Sequence, residues 1–188
     1  KYILFMPKIK KGSLLISDPA INDNFFFKSV ILITHHSENE SIGLILNQPT
    51  NISLDQIFEH IKEKTIPIFL GGPVAKNTIQ FLHSSNTKIP GSIKILDGLF
   101  WGGDFELVSK LISQKKISKK DIRFFAGYSG WGDKQLEEEI NNGDWLVIKA
   151  EKADCWQQSS KHLWGQIIKK QDSNYAIWTN LPKNPNLN

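Results

Sequence analysis

The arrangement of strand and helix signals in this chain predicts an α+β fold, and three observations carry that expectation. Two β-branched apolar runs, 30–34 and 43–46, flank the polar loop Ser37-Glu38-Asn39-Glu40-Ser41 and read as a hairpin through the core. Helical patterns fall unevenly among the strands instead of alternating with them one for one. The 188 residues, 40% hydrophobic and 22% charged, suit one compact domain spanning 1–188 that buries roughly 70% of its unfolded surface.

Residues 12–17 form the first expected strand, ended by Asp18-Pro19. Phe25-Phe26-Phe27 follows the polar Asn22-Asp23-Asn24 and reads as a core-packing turn or short helix. After the hairpin, Asn47-Gln48-Pro49 ends a strand, because proline cannot donate to a ladder, and a loop is expected to follow. Ser53 with Gln56 makes a capping box, and Leu54, Ile57, Phe58 and Ile61 fall at helical spacing, so a helix is expected across them. Residues 67–70 start a strand that runs into Gly71-Gly72-Pro73-Val74, with further strands at 79–82 and 93–96.

Asp104 caps an amphipathic helix whose apolar face holds Leu107, Val108, Leu111 and Ile112, with Lys115-Lys116 near its negative dipole end. Residues 122–128 read as a strand, 133–142 as a short helix stopped by Gly143, and 145–150 as a strand. Leu163, Trp164, Ile167 and Ile168 mark a last helix before the polar tail 182–188.

Composition removes several function classes. No apolar run approaches the roughly 18 residues of a membrane span. Cys155 is the sole cysteine, and the apolar opening Tyr2-Ile3-Leu4-Phe5-Met6 is broken at once by Pro7, so a reducing cytoplasm is the expected location. The formal charge of +4 comes from 23 basic residues, of which only Arg123 is an arginine. Scattered lysines give solubility and salt-sensitive attraction, not bidentate reading of guanine or phosphate, so specific nucleic-acid binding is not expected.

Catalytic patterns are incomplete. Gly127-Tyr128-Ser129-Gly130-Trp131 places Trp131 where a Gly-x-Ser-x-Gly nucleophile elbow needs its last glycine. His35 and His36 are adjacent on a strand and point to opposite faces, and His83 lacks the spacing of a metal-ligand pair. Gly71-Gly72-Pro73-Val74 reads as a tight bend where two strands change direction, with an anion-holding nest as the alternative. Glu137, Glu138 and Glu139 suit the start of a helix dipole, and only Gln135 and Glu139, four apart, share a face. No catalytic residue, metal ligand or cofactor is assigned. Six tryptophans offer an aromatic wall, with Trp101, Trp131 and Trp145 as its expected members.

Several blocks then combine in order: Gly43-Leu44-Ile45-Leu46-Asn47-Gln48-Pro49, Gly71-Gly72-Pro73-Val74, Gly127-Tyr128-Ser129-Gly130-Trp131, Gln135-Leu136-Glu137-Glu138-Glu139-Ile140 and Gly143-Asp144-Trp145. In this the chain resembles the bacterial YqgE/AlgH family along nearly its whole length. The resemblance implies a barrel-like, partly open mixed sheet flanked by a few short helices, and a bacterial cytosolic protein. One branch of that family carries a transcriptional-regulator label, whereas this chain shows no evident helix-turn-helix. The family pattern has alanine at Ser129 and Pro-Gly at Asp133-Lys134.

The function expected is noncatalytic binding of a protein or small-molecule partner, with a regulatory role. The candidate surface is a Gly-aromatic turn at Tyr128 to Trp131, with Gln135, Glu139, Gly71, Gly72 and Asn47. A hydrolase using Ser129 or a histidine-bound metal, and a transcriptional regulator, are the competing readings.

Overall fold

A computed structural model describes residues 8–21, 23–61, 66–84, 87–156 and 162–171. The tail at 182–188 and Asn22 lie outside the described residues. The first layer is built from β1 (Ser13–Ser17), β2 (Val30–His36) and β3 (Ser41–Ile45), each antiparallel to the next. β4 (Pro49–Ser53) and the single helical turn α1 (Leu54–Ile57) lead to β5 (Pro67–Leu70) and the long β6 (Val74–His83). Then come β7 (Ile93–Leu96), β8 (Leu99–Trp101), α2 (Phe105–Ser113), β9 (Ile122–Trp131) and α3 (Gln135–Asn142). β10 (Trp145–Lys149), α4 (Lys152–Trp156) and α5 (Leu163–Lys170) complete the described chain.

The ten strands join in the order β10-β1-β2-β3-β9-β6-β8-β7, with β4 and β5 branching from β9. Among the described residues β10 and β7 end that path without pairing each other, so the curled sheet remains a partly open half-barrel. It is mixed, because β5 runs parallel to β9 while the other pairings are antiparallel.

Side-chain alternation explains the continuous apolar runs. Leu14 and Ile16, Val30 and Leu32, and Leu44 and Leu46 point into one buried cluster with Leu163, Trp164, Ile167 and Ile168 of α5. Leu15, Ile31, Ile33 and Ile45 point the other way, into a cluster with Trp131, Leu136 and Trp145. A strand covered on both faces needs apolar side chains at successive positions, each contributing about 1.5–3 kcal/mol when fully buried. α2 closes a third cluster, in which Val108, Leu111 and Ile112 meet Ile122 and Phe124 of β9. The Asp104 carboxylate accepts from the Leu107 backbone N–H at 2.9 Å, which is the expected cap.

Three expectations are corrected. Residues 128–131 are not a turn: β9 continues to Trp131 and pairs Ser129, Gly130 and Trp131 with Gly43, Ile42 and Ser41 of β3. Long-range pairing overrides the local glycine signals. Pro49 does not open a loop but begins β4, an edge strand that among the described residues pairs with β5 alone, where a missing N–H is tolerated. The capping box forms, with the Ser53 N–H donating to Gln56 Oε1 at 2.9 Å, yet α1 stops after one turn. Phe58 turns extended, and Phe58 and Ile61 reach the core through a tight turn instead of a helix face. β8 and α4 lack strong local signals and were not expected.

Candidate functional site

The far end of β9 meets the start of α3 and the start of β10. Trp131 is the last residue of β9 and Trp145 the first of β10. Three strands separate β9 from β10 in the sheet, but the curl brings the two indoles edge to face with ring centres 6.0 Å apart. α3 lies beside both. Its Gly143 stop adopts φ +88°, a left-handed conformation that glycine takes without a Cβ penalty, and releases the chain into Asp144 and β10.

A single carboxylate oxygen joins these elements. Glu139 Oε2 accepts from the Trp131 indole N–H at 2.8 Å and from the Trp145 indole N–H at 2.7 Å. Glu139 Oε1 accepts from the Gln135 amide at 3.0 Å, and Gln135 Oε1 in turn accepts from the Gly132 backbone N–H at 3.1 Å. Hydrogen bonds to a charged acceptor are stronger than neutral ones, so this network fixes both rings against α3. Phe26 completes the aromatic group, stacked on Trp131 at 6.5 Å and edge-on to Trp145 at 5.4 Å.

Together they border a cavity of about 440 Å³, whose lining includes Asp23, Phe26, Trp131, Gln135, Glu139, Asp144 and Trp145. Among the described residues, no lysine, arginine, histidine, serine, threonine or cysteine lines it. Its chemistry is that of hydrogen-bond acceptors set among aromatic rings.

The structure brings Trp131, Gln135 and Glu139 together here and places the other expected site residues elsewhere. Gly71 and Gly72 serve close packing against β9: a Cβ on Gly72 would lie 2.0 Å from the Tyr128 carbonyl carbon, and one on Gly71 would lie 2.3 Å from the Gly127 oxygen. The Gly71 N–H donates to the Ala126 carbonyl, so the bend does not form an open anion nest. Tyr128 is half-buried against the α5-side cluster. Asn47 clamps the loop after Phe26, with Oδ1 accepting from the Val30 N–H at 2.9 Å and Nδ2 donating to the Lys28 carbonyl at 2.8 Å. The neighbouring Gln48 amide donates to the Phe25 carbonyl at 2.7 Å. These two amides position Phe26 from outside the cavity.

Trp101 does not join the aromatic wall. It sits on β8 and donates to Gln80 of β6 at 3.2 Å. Sequence reasoning missed Phe26, Asp23 and Asp144 as lining residues, because the docking of their loops is non-local; only the Phe25-Phe26-Phe27 run signalled a packed turn.

The hydrolase candidates are dispersed. Ser129 is fully buried within β9, and its hydroxyl donates to the Gly71 carbonyl at 3.2 Å. It is neither at an elbow nor open to a substrate. His83 is buried on β6, pairs through Nε2 with Ser92 Oγ at 2.8 Å and stacks on Phe100. Burial holds its imidazole below the ordinary value of 6.5. His35 lies 3.5 Å from Glu40, and His36 lies 3.9 Å from Glu137. Among the described residues, no three His, Cys, Asp or Glu side chains converge as a metal-holding group. Cys155 is buried and unpaired, and burial pushes its thiol up to about 12, which leaves it inert.

Comparison with known proteins places this architecture. The AlgH-like family, DUF179, matches residues 14–176. A UPF0301 protein of Bacteroides thetaiotaomicron is 39% identical over 95% of this chain and 91% of its own. A UPF0301 protein of Chlorobium limicola is 35% identical over 96% of this chain and 97% of its own. The crystal structure of protein DIP2367 from Corynebacterium diphtheriae superposes with a TM-score of 0.75 at 24% identity, covering 93% of each chain. The solution structure of AlgH from Pseudomonas aeruginosa gives a TM-score of 0.73 at 23% identity, covering 94% of this chain and 96% of that one. At these identities the two structures share the fold.

Proposed function

The chain belongs to the AlgH-like family, and from that premise we propose that it acts by noncatalytic binding of a small ligand or a protein partner at the Trp131–Glu139–Trp145 cavity. One observation carries the reading: the Glu139 carboxylate is held by two indoles and an amide beside open space. A polar group locked in place among aromatic walls meets a ligand with little ordering left to do, which favours affinity. The burial of Ser129 and the dispersal of the histidines support binding over turnover.

A regulatory role fits such a binder through partners other than DNA. Arg123 is 9% exposed and already bonded to two backbone carbonyls, so its fork is not offered to phosphate or guanine. On duplex DNA we expect only weak, sequence-blind retardation that vanishes with salt. Among the described residues no helix is long and apolar enough to cross a membrane. The unpaired, buried Cys155 supports a reducing location such as the cytoplasm.

The test is a ¹H–¹⁵N spectrum of the full chain against a fragment library, read at the indole N–H signals of Trp131 and Trp145. Hits that move both signals and weaken in Gln135→Ala are expected. Hits that map only to the region of Trp101 overturn the site.

A further inference from the structure

We infer that the cavity selects cations, so that its ligand carries an ammonium or guanidinium group. This inference rests on reading the cavity as the binding site and adds the chemical class of its occupant. The first argument is a census of donors and acceptors. Both indole N–H groups and one N–H of the Gln135 amide are directed at Glu139, which leaves the second Gln135 N–H as the one side-chain donor an anion would find among the described lining residues. Acceptors remain in excess. Glu139 Oε1 receives one hydrogen bond, and Asp23 receives one, on Oδ1 from the Phe25 N–H. Among the described residues, the Asp144 carboxylate has no hydrogen bond or ion pair. Each carboxylate oxygen has room for about two donors, so the cavity presents unfilled lone pairs from three side chains.

The second argument is charge. Asp23, Glu139 and Asp144 all border the cavity, and among the described residues no lysine or arginine does, although the protein as a whole is basic at +4. The ion pairs among the described residues use Glu40, Glu137, Asp97 and Asp154. The cavity carboxylates therefore have no ion-pair partner among the described residues, and a concave wall of one sign concentrates the opposite charge.

The third argument is shape. The three carboxylates surround about 440 Å³ instead of converging on a metal-sized point, which suits an extended organic cation. Aromatic faces suit the same ligand: the chain's own Lys76 ammonium sits 5.2 Å above the neighbouring Phe25 ring. Free polyamines and the lysine or arginine side chains of a partner share this chemistry.

The experiment titrates the labelled full chain with n-butylammonium, its neutral counterpart n-butanol and the anion butyrate at constant ionic strength, reading the Trp131 and Trp145 indole signals. The expected result is saturable binding of butylammonium, at least tenfold tighter than butanol, with no butyrate binding. Asp23→Asn and Asp144→Asn each lower the ammonium affinity by roughly tenfold, as loss of one nearby opposite charge predicts. Comparable binding of butanol or butyrate overturns the cation class while leaving the cavity as a binding site. A folded protein whose indole signals answer to none of the three overturns both. Spermidine and the blocked peptide acetyl-Gly-Lys-Gly-amide then distinguish the sources: tighter spermidine binding assigns a free polyamine, and tighter peptide binding assigns a protein side chain.

Discussion

The two ends of β9 hold a charge in opposite ways. Near its start, the Arg123 guanidinium lies 4.1 Å over the Phe69 ring, donating to the Cys155 carbonyl at 2.7 Å and the Leu46 carbonyl at 2.8 Å. Burial lowers its pKa to about 10, so it remains charged at neutral pH, sealed between β3, α4 and the core. At the far end, Glu139 is likewise satisfied by neutral groups, but it borders a cavity and keeps a lone pair to spare. The difference teaches that a desolvated charge does not by itself mark a site. Spare hydrogen-bonding capacity facing open space does, and only the far end has it.

The most damaging way to break this comparison is to separate the ends at their shared middle. Gly72→Ala places a Cβ 2.0 Å from the Tyr128 carbonyl carbon, against backbone that cannot yield. Overpacking of this kind is expected to cost about 3 kcal/mol, read by urea denaturation, with ligand binding lost only through unfolding. Arg123→Ala comes next, since it leaves two buried carbonyls without donors. A loss of about 2–3 kcal/mol is expected, and Arg123→Lys should recover part of it by restoring one hydrogen bond. In the folded fraction of either Arg123 variant, cavity binding should be unchanged.

Lys134 sharpens the other end. It precedes α3 with φ +55°, in the left-handed region that glycine adopts without a Cβ penalty. Lys134→Gly should therefore raise stability by about 0.5–1 kcal/mol, as a shift in the denaturation midpoint. Glu139→Gln keeps an acceptor for the indoles but removes the charge. Stability should move by less than about 1 kcal/mol, while butylammonium affinity falls roughly tenfold.

The smallest effect belongs to His83, a buried group with neither role. Among the described residues its Nδ1 has no hydrogen-bond partner, and burial depresses its pKa below 6.5. The unfolded chain then takes up a proton before the folded one as pH falls. Its contribution is complete above about pH 6.5 and is lost as pH drops from there through the folded-state pKa. His83→Asn should flatten that part of the stability profile, measured by thermal unfolding from pH 7.5 to 4.5.

Much of the fold is legible where local pattern and tertiary environment agree. The run 30–34 becomes a strand because both faces are covered, and Asp104 and Gly143 bound helices through local hydrogen bonding and conformational freedom. The pairing of Gln135 with Glu139 is equally local, one helical turn apart. What local reasoning loses is anything set by the curl of the sheet. Gly127, Gly130 and Gly132 look like turn residues, yet β3 holds Ser129 to Trp131 extended. Trp101 and Trp145 are indistinguishable as isolated aromatics, and only strand order sends one to Gln80 and the other to Glu139. Phe26 enters the cavity because Asn47 and Gln48, distant in sequence, hold its loop by two backbone carbonyls.

The most direct test of the shared-carboxylate site is the response of the indole N–H signals to Glu139→Gln. Four of the five described indoles serve as reporters: Trp131 and Trp145 donate to Glu139, Trp101 donates to Gln80, and Trp164 donates to the Ser17 carbonyl. The account predicts that the Trp131 and Trp145 signals move upfield together on loss of the charged acceptor, while those of Trp101 and Trp164 stay in place. A spectrum in which Trp131 and Trp145 respond independently, or neither responds, would contradict it.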